Sequence, residues 1–177
     1  MSATAILNFI FFQLLWFSCV VGAGAYGLNW LALASLLPIG LLTWFSKTRR
    51  VDFAVASVAL CAGLIIDNLW VTFGILSYPG STSAPLWIGV LWVGLGLTVN
   101  HSMVLFRDRT LLGSLVVAAF APVTYLAGQR FGAVVVQDLT LTPLISIVWF
   151  VAFFGMARFS LLLVGTNDTA VHSPEIN

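Results

Sequence analysis

Charge is what this chain lacks. Only 7% of its 177 residues are Asp, Glu, Lys or Arg, against about a quarter in a soluble domain. So few charges cannot coat a water-facing surface, which excludes an ordinary soluble enzyme and a disordered chain. Seven Lys and Arg against six acids leave no basic face for nucleic acid. Cysteine is scarce too. Cys19 and Cys61 fall in apolar runs, form no CxxC and read as small core residues. Two histidines, His101 and His172, are too few for the histidine-rich iron centres of membrane desaturases, and no metal site is expected. HExxH, GxSxG and GxxxxGK[ST] are absent, and no GxGxxG follows a strand. The sequence names no cofactor.

What is present is apolar: 60% of the residues are hydrophobic. Six stretches emerge, about Thr4 to Ala25, Leu28 to Phe45, Phe53 to Leu76, Pro85 to Phe106, Thr110 to Phe131 and Leu141 to Val164. A helix needs about 20 apolar residues to cross a bilayer. The runs are continuous rather than alternating, which argues against a barrel. The expected fold is all-α, one polytopic bundle of six transmembrane helices over 1–165 with a polar tail over 166–177. Ala23-Gly24-Ala25 imitates a signal-peptidase site, but no Lys or Arg precedes the run and Asn8 and Gln13 interrupt it. The first stretch is therefore read as a retained span.

Positive charge sets orientation. Lys47, Arg49 and Arg50 follow the second stretch, Arg107 and Arg109 follow the fourth, and Arg158 lies late in the sixth. With six crossings these fall on one side, and only Arg130 falls on the other. Both termini are then cytoplasmic (N-in, C-in), as in a multi-pass plasma-membrane protein.

Polar side chains inside these spans are the candidate site. Asp67 and Asn68 sit roughly 20 Å along the third helix, with Tyr125 at similar height. Asn8, Asn100, His101 and Ser102 form an inner group and Gln13 a middle rung, together one possible polar track. Asn8, Gln13 and Ser102 read first as helix-to-helix ties. Asp67 differs, because a charge at that depth costs about 2.5–3.5 kcal/mol and no Lys or Arg shares its level. Asp67 and His101 are the catalytic candidates, and Gln13, Asn68, Asn100 and Tyr125 the substrate-binding ones. Asp67 and His101 stand roughly 15 Å apart along the membrane normal, too far for a catalytic pair. Trp30, Trp44, Trp70 and Trp87 are placed toward interfaces. Trp16, Trp92 and Trp149 lie deeper and read as packing rather than as walls of a ligand cavity. Ala59-xxx-Gly63 and Gly128-xxx-Gly132 permit close helix approach.

Several segments carry a resemblance: Asn8 to Val20 in the first helix, Asp67-Asn68 ahead of Tyr78-Pro79-Gly80, Pro85-Leu86-Trp87 with Leu91-Trp92 and Asn100-His101-Ser102, and Pro122 to Gly128. Together they resemble an uncharacterised family of small bacterial inner-membrane proteins, a domain of unknown function. The resemblance covers all but the tail and brings no established activity. It implies a lipid connection only through genes for fatty-acyl cyclopropane synthase-like enzymes nearby. The expected function is an enzyme or accessory subunit in membrane lipid or fatty-acyl modification, with membrane lipids as partners. The alternatives are a proton-coupled small-solute carrier and a structural or assembly factor.

Overall fold

The structure, a computed structural model, describes residues 2–171, with backbone alone over 166–171. His172 and the rest of the expected tail lie outside the described residues. Among the described residues seven α-helices carry the fold: α1 (Ala3–Phe17), α2 (Asn29–Trp44), α3 (Arg49–Thr72), α4 (Leu86–Gly96), α5 (Val104–Asp108), α6 (Thr110–Arg130) and α7 (Thr142–Val171). Helix α7 thus runs on into the segment expected as tail. Two short strands, β1 (Leu76–Ser77) and β2 (Val135–Val136), follow α3 and α6.

Ser2 caps α1 by accepting from the Ala5 N–H. Helix α1 passes without a break into a π-helix over Ser18–Ala25. Small residues let this wider coil press against its neighbours: a Cβ at Gly24 would lie 2.6 Å from that of Ala133. Among the described residues four helical segments are long and apolar enough to cross a membrane: Ala3–Ala25, Arg49–Thr72, Thr110–Arg130 and Leu139–Gly165. Helices α2 and α4 are apolar but shorter. Large apolar side chains such as Leu37, Ile65, Phe120 and Val151 are exposed, the reverse of a water-soluble surface.

Helix α4 is the centre of the bundle. It packs on α1, the π-helix, α2 and α3. Most of it is buried, and its glycines allow backbones to meet. A Cβ at Gly96 would sit 2.5 Å from Ala56 Cα on α3, and one at Gly94 would sit 2.9 Å from Leu15 on α1.

The fourth apolar stretch is not the continuous helix expected. Helix α4 stops at Gly96, residues 97–103 form turns, and α5 is a single short helix. The break holds because other groups satisfy its backbone. Thr98 Oγ1 donates to Leu95 O at 2.6 Å, and Asn8 Nδ2 of α1 donates to Leu97 O at 3.1 Å. The N–H groups of His101 and Met103 both donate to Thr98 O.

At the opposite end, α3 and α6 terminate alike. Gly74 and Gly132 adopt positive φ, and the next residue bonds back to Trp70 O or Gly128 O. The chains leaving these caps pair antiparallel as β1 and β2, Leu76 opposite Val136. This ribbon roofs one end of the bundle. One expectation fails at the level of side chains. Cys61 is exposed on α3 rather than in the core, because its position faces outward while Cys19 faces in. Trp70 and Trp87 are buried, unlike Trp30 and Trp44, because the ribbon and its loops cover that end.

Candidate functional site

Asp67 sits on α3 five residues before its end and is fully buried. Three elements each bring one donor to it. Tyr78, in the loop after β1, donates its hydroxyl to Oδ1 at 2.5 Å. Tyr125, on α6 one turn after Pro122, donates to the same oxygen at 3.1 Å. Trp92 of α4 donates its indole N–H to Oδ2 at 2.7 Å. Donors to a carboxylate are worth about 1.5–3 kcal/mol each, and burial makes an unmade one costly. Burial, and then the Asp67 carboxyl, hold the Tyr78 phenol well above its ordinary value, so it remains a donor.

The carboxyl lines a cavity of about 220 Å³. A dry apolar cavity of about 150 Å³ already admits benzene. Its walls are largely aromatic. Trp92 and Trp149 stack with ring centroids 4.6 Å apart and planes 13° from parallel. Tyr78 and Val134 belong to the roof side. Phe12 and Trp16 of α1 flank one side, and Val117, Phe120 and Thr124 of α6 the other. Helices α1 and α6 make little contact along their length, and the lining residues Phe120 and Thr124 are exposed, so the cavity reaches the surface along α6. The indole N–H groups of Trp70 and Trp149 are buried without a hydrogen-bond partner, though both face the Tyr125 hydroxyl.

A second polar group lies at the other end of α3. Asp52 is fully buried and fifteen residues before Asp67, about 22 Å along the axis and close to the same face. Its Oδ1 accepts from Asn100 Nδ2 at 2.7 Å. Its Oδ2 accepts from Thr48 at 2.9 Å and lies 3.0 Å from His101 Nε2. Asn100 Oδ1 accepts from Arg107 of α5 and Ser160 of α7, both at 2.5 Å. Asn8 accepts from the Ser102 N–H and hydroxyl, which ties α1 to the turns over 97–103.

The sequence candidates therefore separate. Asp67 and Tyr125 meet. Asn68 does not join them: its amide donates to Leu64 O at 2.7 Å and its oxygen accepts from the Ala84 N–H, holding the loop before α4. His101 and Asn100 meet at Asp52, and His101 makes no contact with Asp67. Gln13 is half-buried on α1, outside the cavity lining and without a hydrogen bond to either group. The one polar track is thus two separate clusters. Trp16, Trp92 and Trp149, expected only to pack, line the cavity. Asp52, Tyr78 and Trp92 were the partners missed. The available signal was an acid at the start of an apolar helix, on the face that carries Asp67. Among the described residues no group of three His, Cys, Asp or Glu side chains is placed to hold a metal.

Fold and site together define an all-helical protein with four helices long and apolar enough to cross a membrane among the described residues, and a cavity bordered by a buried carboxyl. The family model for a protein of unknown function, DUF2878, matches residues 5–156, and the chain belongs to that family. No curated protein and no solved structure matches it.

Proposed function

We propose that this chain is a six-span plasma-membrane protein, N-in and C-in, that takes a lipid-derived chain into the Asp67 cavity. It serves there as an enzyme or accessory subunit in membrane lipid or fatty-acyl modification. The observation that carries this reading is the position of the opening. A cavity that reaches the surface along α6 is filled from hydrocarbon, not from water. Its inner end offers a carboxyl and two phenols, the groups that would orient the polar end of such a molecule or move its proton. Two short helices, α2 and α4, supply the fifth and sixth crossings, with the backbone of the discontinuity after α4 held by Asn8 and the Asp52 cluster. The carrier reading has less support, because among the described residues the hydrogen bonds at Asp52 and Asp67 do not join.

Ala121 is buried in the cavity wall and holds no hydrogen bond to Asp67, so Ala121→Trp fills the space while leaving the carboxyl and its three donors unsubstituted. Wild-type protein is expected to co-purify with a lipid detectable by native mass spectrometry, and Ala121→Trp without it. Whole-cell lipid extracts of that variant should match those of a deletion strain and differ from wild type in acyl composition. An unchanged lipid profile in the deletion strain, or lipid retained by the filled variant, overturns the reading.

A further inference from the structure

The cavity pairs two features that rarely coincide in a site for a neutral chain. One is a buried carboxyl. Oδ1 receives two donors and Oδ2 one, and the carboxyl, with no accessible surface of its own, acts on the cavity it borders through its charge. No Lys or Arg pairs with Asp67 among the described residues. The other is a lining rich in aromatic rings: Trp16, Tyr78, Trp87, Trp92, Tyr125 and Trp149, with Phe12 and Phe120. Aromatic faces present negative potential, and a carboxylate set among them is the chemistry that holds an organic cation. A ligand carboxylate would meet repulsion from Asp67, and an alcohol would leave the aromatic faces unused.

We propose that the polar end of the ligand is an ammonium, so that the Asp67 cavity binds an amine-bearing or quaternary-ammonium amphiphile. This rests on the reading of the cavity as a lateral ligand site. The ammonium lies within the field of the Asp67 carboxylate, Trp149 forms one wall, and the apolar chain lies toward α1 and α6. Three donors hold the carboxylate in place before the cation arrives, so little reorganisation accompanies binding. The same ammonium chemistry is available from an aminolipid headgroup and from a free lipophilic amine.

The test uses full-length protein in phosphatidylglycerol nanodiscs, titrated calorimetrically with three probes of one chain length: octyltrimethylammonium, octan-1-ol and octanoate. The cation is expected to bind at least tenfold more tightly than the alcohol, and octanoate most weakly. Asp67→Asn should remove the preference and leave octanol binding in place. Trp149→Leu, which keeps every hydrogen bond to Asp67, should weaken the cation at least fivefold and spare the alcohol. It serves should Asp67→Asn fail to fold. Equal binding of cation and alcohol, or unchanged cation affinity in either folded variant, overturns the ammonium proposal while the cavity reading stands. If none of the three probes binds, the cavity reading falls with it. Repeating the cation titration in nanodiscs with phosphatidylethanolamine assigns the source. A weaker apparent affinity there supports the proposal with an aminolipid as ligand, and an unchanged one supports it with a free amine.

Discussion

Trp92 lies flat across Gly63. A Cβ at position 63 would stand 2.0 Å from the indole Cγ, so only glycine leaves room for the ring. Gly63 is one helical turn before Asp67, and this seat brings the Trp92 N–H to the carboxyl.

Gly63→Ala is therefore expected to destabilise the protein, although alanine favours a helix by about 1 kcal/mol over glycine. Overpacking at a tight site costs about 1–3 kcal/mol, and the displaced indole also loses its acceptor. The measurement is the thermal midpoint in detergent together with the tryptophan emission maximum. A midpoint at or above wild type would show that Trp92 moves freely and that its bond to Asp67 is dispensable.

Asn8 and Asp52 hold the turns over 97–103 from two sides. Asn8→Ala leaves Leu97 O and the Ser102 hydroxyl unpaired, and Asp52→Ala does the same to Asn100 Nδ2 and His101 Nε2. Each buried group left unpaired costs about 1–3 kcal/mol. Amide hydrogen exchange over 97–103 should speed up at least tenfold in both variants, with α6 unchanged. Equal protection in variant and wild type would mean that the segment is held by packing alone.

The proposed orientation has its own readout. With Cys19 and Cys61 replaced by Ala, single cysteines at Ser46 and Asp108 should react with an impermeant maleimide only in inverted vesicles. Cysteines at Thr82 and Asp138 should react only in intact, right-side-out spheroplasts. Labelling of position 46 and position 82 from the same side would remove the third crossing, and with it the N-in, C-in arrangement.

The helices were legible because charge and apolar runs answer directly to the cost of ions in hydrocarbon. That cost also made Asp67 stand out, and Tyr125 at its level. Tyr78 was hidden in a loop of turn residues, since nothing local says that Tyr78-Pro79-Gly80 folds back under the ribbon. Asp52 was masked by Arg49 and Arg50, beside which it reads as an acid at a helix start. The break after Gly96 was invisible for a similar reason. The carbonyl of Leu97 is satisfied by Asn8, 89 residues away, and a hydropathy run carries no trace of such a partner.

The ribbon of β1 and β2 has one more consequence. With that end roofed, the proposed amphiphilic guest would arrive from the bilayer side along α6 and would have left water before it meets the protein. The free energy of dehydrating its tail, about 0.8 kcal/mol per methylene, is then released on partition into the bilayer and adds nothing at the docking step. Occupancy follows the mole fraction dissolved in the leaflet. Discrimination between guests falls to the few atoms that reach Asp67, and lengthening the tail should raise apparent potency in bulk solution without changing the preference for one head over another.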